Sequence, residues 1–134
     1  MRSILALALS VAIVGPALAA DDQPDWTPVA TERLVKLPPA YLKKSLDRDF
    51  EKSALAEAMR RSADDMRAKA GTLDDLKGAI GQADGELGVE LRHQYLAEKR
   101  AYIGLVAQHH AQRQRYLQRR QQMLEKLLDK ANLE

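Results

Sequence analysis

The sequence predicts an all-α protein: an antiparallel two-helix hairpin with long, coiled-coil-like helices that associate into a bundle. Strong helix formers are abundant, and β-branched and aromatic residues are few. No Gly or Pro interrupts the chain between Ala40 and Ala70, and the second half repeats every seven residues. These three observations favour helices over strands.

Residues 1–19 have the composition of a secretory signal peptide. One basic residue, Arg2, precedes a predominantly apolar run over residues 4–14, and small residues spaced A-x-A end at Ala19. The run of about 11 residues is shorter than the roughly 20 that span a bilayer. We therefore expect cleavage after Ala19, a periplasmic or secreted location, and no membrane span in the mature chain.

Charge and cysteine content argue against several classes of function. The chain has 21 basic and 19 acidic residues, and loss of Arg2 lowers the net charge from +2 to about +1. So small a charge argues against nucleic acid as a partner. The absence of Cys excludes disulfides and thiol catalysis, so stability must come from packing or association.

Residues 20–39 hold every proline of the mature chain and lack a helical period, which predicts an extended N-terminal arm. Pro38 and Pro39 then open the first helix, as Pro does at a helix start. Trp26 is the one aromatic side chain of the arm. Two interpretations stay open for it: it docks the arm on the helices, or it anchors a binding partner.

Residues 40–80 have the period of a single helix. Its candidate core residues recur at alternating steps of four and three: Leu55, Met59, Ser62, Met66, Lys69, Leu73, Leu76 and Ile80. Gly71, followed by Thr72 and Asp75 at capping-box spacing, leaves open a kink or a restart. A cluster of glycines predicts the turn over residues 81–85.

Residues 86–133 form the second predicted helix, which carries two adjacent heptad series. The first is Val89, Leu96, Ile103, His110, Leu117, Leu124 and Ala131. The second is the residue before each of these: Gly88, Tyr95, Tyr102, His109, Tyr116, Met123 and Lys130. We expect this pair of series to face the first helix, with His109 and His110 in the place of an aromatic and an aliphatic residue.

A hairpin folded near residue 83 places Glu57 at the level of His109 and His110. Three interpretations stay open for the two histidines. His110 fills a layer of the helix interface and bonds to Glu57, which fixes the register. Alternatively, protonation makes this layer a pH-sensitive joint, or the histidines bind a metal across an oligomer axis.

Four arginines follow the histidines: Arg113, Arg115, Arg119 and Arg120. The hairpin brings them near the acids of residues 47–51, so one interpretation is that they pair within the chain or face solvent. The other is that they bind an anionic or unfolded protein partner, together with Trp26.

Glu90 and His93 have the i, i+3 spacing that lets one helix offer a carboxylate and an imidazole to a metal ion. One such motif supplies too few ligands, so a transition-metal site here requires a second chain. The alternative is an ordinary surface pair, and otherwise we expect no cofactor.

Apolar residues lie on two sides of the second helix, because Leu105 is opposite Leu96 at 100° per residue. A lone hairpin buries one side only, which predicts a dimer or a larger bundle. With no nucleophile motif in the chain, we expect no enzyme activity. The sequence favours an exported, oligomeric interaction protein, an adaptor or chaperone-like bundle that binds envelope proteins, with a metal-binding or metal-sensing bundle as the alternative.

Overall fold

A computed structural model describes residues 23–133. The predicted signal peptide, residues 1–19, lies outside these residues, as does the start of the predicted arm. All regular structure over 23–133 is helical, which confirms the all-α prediction. The helices are α1 (Glu32–Val35), α2 (Pro39–Glu51), α3 (Ala54–Gln82) and α4 (Gly85–Asn132).

The predicted helix over residues 40–80 is in fact two helices, because Ser53 ends one and caps the next. Its backbone is extended, with φ −78° and ψ 157°. Its hydroxyl donates to the Phe50 carbonyl at 2.6 Å and accepts from the Ala56 amide at 3.1 Å. A short side chain whose hydroxyl forms hydrogen bonds with nearby backbone groups competes with continuation of the helix. The helix therefore ends here, and a new one begins at Ala54.

The arm also differs from its prediction, since it contains the single turn α1. Thr31 caps this turn, and its side chain accepts a hydrogen bond from the Leu34 amide at 3.3 Å. Pro39 stands at the start of α2, as the sequence predicts.

Helix α3 runs without interruption through Gly71, so the possible restart there does not occur. All eight candidate core residues of α3 are buried or half-buried. The period read from the sequence therefore identifies the packed face of this helix correctly.

The turn between α3 and α4 is shorter than predicted. Ala83 and Asp84 are extended, and Gly85 follows at φ +65°, a conformation that side-chain-bearing residues rarely adopt. Gly88 is buried one turn later, where a Cβ would lie 3.3 Å from the Ala83 carbonyl oxygen. The two glycines thus allow the chain to reverse within two residues.

Helices α3 and α4 pack antiparallel. Lys69 Nζ lies 2.6 Å from Glu98 Oε2, and further from the turn Arg120 Nη1 lies 2.9 Å from Asp47 Oδ1 on α2. In each ion pair, the midpoint of the two residue numbers falls between 83 and 84, close to residue 83, where the sequence predicts that the hairpin folds back. Because α4 has 48 residues and α3 only 29, the last part of α4 packs against α1 and α2 instead.

The face that α4 turns inward is narrower than predicted. The second heptad series packs inward over its first six members, about ten helical turns: Gly88, Tyr95, Tyr102, His109, Tyr116 and Met123 are buried or half-buried, and only its last member, Lys130, is exposed. The first series lies outside, and its members Val89, Leu96, Ile103, His110, Leu117 and Leu124 are all exposed. A single neighbouring helix covers only one of two series that are 100° apart.

The main core cluster lies at the end far from the α3–α4 turn. Leu46 of α2 and Met123 and Leu127 of α4 are buried there, with α1 packed against them. None of the helices over residues 23–133 combines the length and apolarity of a membrane-spanning segment.

Candidate functional site

Trp26 joins the arm to both α2 and α4. Its side chain is 2 % exposed and packs against Phe50 and Tyr116, with ring centroids 5.3 and 5.7 Å away, while these two rings contact each other at 4.2 Å. The indole Nε1 donates to Asp49 Oδ2 at 2.8 Å. Docking of the arm, the first interpretation of Trp26, is therefore what the structure shows, and partner binding by Trp26 would require the arm to leave.

Arg119 and Arg115 hold the residues of the arm that directly precede Trp26. Arg119 donates to both carboxylate oxygens of Asp25, at 3.0 and 2.6 Å. Arg115 donates to the Pro24 carbonyl at 3.2 Å and to the Gln23 side chain. The hydrogen bonds from Arg119 lower the pKa of the Asp25 carboxyl below its usual value.

Arg120 connects α4 to α2. It donates to Asp47 Oδ1 and to the Tyr116 hydroxyl, each at 2.9 Å. Hydrogen bonds from Lys43 and then from Arg120 lower the pKa of Asp47. Arg113, in contrast, is exposed and forms no ion pair within residues 23–133. Three of the four predicted partner-binding arginines thus have partners inside the chain.

A polar layer crosses the α3–α4 interface at Ser62, which is 3 % exposed. Its Oγ lies 2.9 Å from His109 Nδ1 and 2.7 Å from Gln112 Oε1. The same Oγ also lies 3.1 Å from the Met59 carbonyl oxygen on its own helix. One hydroxyl has one proton, so when it is donated to Gln112, the nearer acceptor, His109 must carry a proton on Nδ1 to donate to Ser62. With this assignment both contacts are hydrogen bonds.

The predicted pair of Glu57 and His110 is not formed. Glu57 is exposed and binds Arg60 and Arg61 on its own helix, at 3.0 and 3.2 Å, and hydrogen bonds from these arginines, Arg60 first, lower its pKa. His110 lies on the exposed face of α4. The register layer predicted at His110 is occupied one residue earlier, by His109 with Ser62.

The contact of Ser62 with His109 brings a hydroxyl and an imidazole together, as nucleophilic catalysis also does. The hydroxyl is buried between two helices, however, so a substrate carbonyl cannot reach it. We interpret the pair as an interface hydrogen bond that fixes how α3 and α4 align.

The predicted metal ligands do not meet in one chain. Glu90 and His93 are exposed near the start of α4, and His109 is engaged with Ser62. Over residues 23–133, no three His, Asp or Glu side chains come together in a geometry that could hold an ion. A metal site with three protein ligands from the part of the chain described here would therefore have to draw on a second chain.

We call the exposed heptad series of α4 the outer stripe: Val89, Leu96, Ile103, His110, Leu117 and Leu124. Its five aliphatic side chains are between 43 and 62 % exposed. Leu128 lies beside the end of the stripe and, with Leu117 and Leu124, lines a shallow depression of about 350 Å³. The stripe holds five of the ten large hydrophobic residues that are exposed over residues 23–133.

Sequence reasoning missed several contacts that build this arrangement, among them those of Asp25 with Arg119 and of Ser62 with Gln112. A signal was present on α3, because its predicted core series includes the polar residues Ser62 and Lys69. Buried or half-buried polar groups need polar partners, and His109 and Glu98 of α4 supply them. Comparisons with protein-family models, with curated proteins and with solved structures find no match.

Proposed function

We propose that this chain is an exported, non-enzymatic interaction protein that acts in the periplasm as an oligomeric helical adaptor or chaperone-like bundle. Its outer stripe is the binding surface. The inner faces of the helices hold the hairpin and the arm together, which leaves the stripe free for association.

The observation that carries this proposal is the separation of two faces on α4. Tyr116 and Leu117 are neighbours in sequence, yet Tyr116 packs against Trp26 and Phe50 while Leu117 is 54 % exposed. Contiguous exposed apolar surface is uncommon on a monomer and is typical of an interaction site. The aliphatic repeat every seven residues further favours a helical partner.

The surface proposed here differs from the one that the basic residues suggest. Arg115, Arg119 and Arg120 are occupied by the arm and by Asp47, and Trp26 is buried beneath the same contacts. Arg113 borders the outer stripe, three residues after His110, so it is the arginine best placed to contact a partner bound there.

Site-specific photo-crosslinking in cells tests this proposal. A benzophenone amino acid replaces Leu117 in one variant of the full chain and Ala101 in a control. Ala101 is also exposed but lies about 160° around the helix from Ile103. We expect crosslinked protein, to the same chain or another, from position 117 and little from position 101, and a further Leu96→Gln change should reduce the yield. Equal yields at the two positions, or none at 117, would contradict the proposal.

The location is tested separately, by fractionating the cells and sequencing the N-terminus of the mature chain. We expect a periplasmic or secreted product that begins at Ala20, because the small-residue pattern ends at Ala19. A cytoplasmic product that keeps residues 1–19 would rule out export.

A further inference from the structure

We propose that the occupant of the outer stripe is a second copy of this chain, aligned antiparallel, with a two-fold axis at His110. This inference rests on the proposed function, since it names the partner of the same surface. Two such hairpins, joined through their α4 helices, would form a flat bundle in which both arms stay docked as they are in one chain.

The first argument is the symmetry of the stripe. A two-fold interface uses the same surface on both copies, so that residue i of one faces residue j of the other, and j faces i. His110 lies midway between Ile103 and Leu117 and also midway between Leu96 and Leu124. A two-fold rotation about His110 therefore places Ile103 of one copy opposite Leu117 of the other, and Leu96 opposite Leu124, so that aliphatic side chains meet at each of these levels.

The second argument is charge, which distinguishes the antiparallel from the parallel alignment. Five cations flank the stripe, three or four residues after its members: Arg92, Lys99, Arg100, Arg113 and Arg120. In a parallel pair, each of these cations lies at the level of the same residue in the second chain. Like charges so placed repel.

The antiparallel pair removes most of this repulsion. Three cations come to the level of uncharged residues of the second copy: Arg92 to Leu128, Lys99 to Gln121 and Arg113 to Ala107. One like-charged pair remains, Arg100 with Arg120, and Arg120 already lies 2.9 Å from Asp47 within its own chain. The flanking charges therefore favour the antiparallel alignment.

The third argument is the shape and size of the contact. In the antiparallel alignment, Leu96 of the second copy arrives at Leu124, beside the depression that Leu117, Leu124 and Leu128 line. From Val89 to Leu124 the stripe is about 53 Å long, and a helix is about 10 Å wide, so each copy offers a strip of about 500 Å². That area approaches the roughly 600 Å² per partner of the smaller stable interfaces.

Disulfide crosslinking tests the alignment, because the natural chain has no Cys and each introduced thiol is unique. In the antiparallel pair, an Ile103→Cys chain mixed with a Leu117→Cys chain forms a mixed disulfide under mild oxidation. Neither variant crosslinks with itself, since its two thiols are about 21 Å apart along the helix. An Ala101→Cys chain is the control and forms no crosslink with any of them.

Sedimentation equilibrium measures the strength of the same contact. His110→Leu completes the aliphatic series and should tighten the dimer about tenfold or more, and Leu117→Gln should weaken it about tenfold or more. Both residues are exposed within one chain, so helicity should be unchanged. Added salt should strengthen the dimer, because it screens the remaining pair of Arg100 with Arg120.

Three outcomes would overturn this inference. Self-crosslinking of Ile103→Cys and of Leu117→Cys would show a parallel pair. Absence of all cysteine crosslinks, with photo-crosslinks from position 117 to other proteins, would show that the stripe binds a different partner, which leaves the proposed function standing. Absence of both kinds of crosslink would reject the inference and the proposed function together.

Discussion

The Ser62 hydroxyl on α3 lies 2.9 Å from Nδ1 of His109 on α4. It is the one buried polar layer between the two helices over residues 23–133. Sliding one helix along the other would break this contact and leave His109 Nδ1 without its partner on α3, and an unpaired polar group removed from water costs about 1–3 kcal/mol. The layer therefore favours a single register over its neighbours, the role that the sequence assigned to His110.

A double-mutant cycle measures this register contact. Ser62→Ala and His109→Ala should couple by about 1 kcal/mol in the free energy of unfolding, because either change alone already breaks the hydrogen bond that joins the two residues. Glu57→Ala and His110→Ala form the matched cycle, and their effects should add within error. Coupling in the second cycle without coupling in the first would show that His110, and not His109, makes the contact between the helices.

Replacement of Trp26 tests how much the docked arm stabilises the hairpin. Trp26→Ala should lower the free energy of unfolding by about 3 kcal/mol, since it removes a buried ring that packs on Phe50 and Tyr116. Trp26→Phe keeps much of the packing but loses the bond to Asp49, at a cost of about 1 kcal/mol. Tyr41→Ala is the control, because Tyr41 is 63 % exposed. Equal effects of Trp26→Ala and Tyr41→Ala in urea unfolding would show that the arm is not docked.

Acid should loosen the arm. Hydrogen bonds from Arg119 lower the pKa of Asp25 in the folded chain, whereas in the unfolded chain this pKa is about 3.9. The contact between Asp25 and Arg119 therefore stabilises the folded chain fully above about pH 4. This stabilisation is lost as the pH falls through the lowered pKa. Fluorescence of the single Trp reports docking. Asp25→Asn should reduce the pH dependence, whereas Asp64→Asn, at an exposed pair with Arg67, should leave it unchanged. A signal that stays constant from about pH 5 to pH 2 would contradict this account.

The turn predicts opposite effects for two nearby glycines. Gly85→Ala should lower the free energy of unfolding by about 1 kcal/mol, because a Cβ is strained at φ +65°. Gly81→Ala should raise it by up to about 1 kcal/mol, since Gly81 is helical and a Cβ there meets nothing within 4 Å. Thermal unfolding of the two variants compares them directly, and a stabilising Gly85→Ala would mean that the turn has a different conformation.

The period of the sequence predicted the helices, the fold near residue 83 and the packed face of α3, because all three depend on apolar spacing. It could not decide which of two adjacent series of α4 faces inward. Hydropathy favours Leu96 and Ile103 over Tyr95 and Tyr102 as core residues. The structure buries Tyr95 and Tyr102 more. The same side of α4 carries His109 and Glu98, which bind Ser62 and Lys69 of α3, so polar contacts as well as apolar ones form this interface.

The break at Ser53 was not predicted for a related reason. The stretch from Ala40 to Ala70 contains no Gly or Pro, and a single Ser is compatible with a helix interior. Only the hydrogen bonds of Ser53 to Phe50 and Ala56 turn it into a boundary. Likewise, Asp25 and Asp49 become important through their contacts with Arg119 and Trp26, which are distant in sequence.

The central claim is that α4 uses one face for folding and the other for association, and Tyr116 and Leu117 test it as neighbours. Urea unfolding of Tyr116→Ala and Leu117→Ala at two protein concentrations is the most direct measurement. Tyr116→Ala should lower the free energy of unfolding of the monomer by about 3 kcal/mol and keep the concentration dependence of the natural chain. Leu117→Ala should change monomer stability by less than about 0.5 kcal/mol and lose that dependence. Equal losses of monomer stability in the two variants, with no concentration dependence in the natural chain, would contradict the claim.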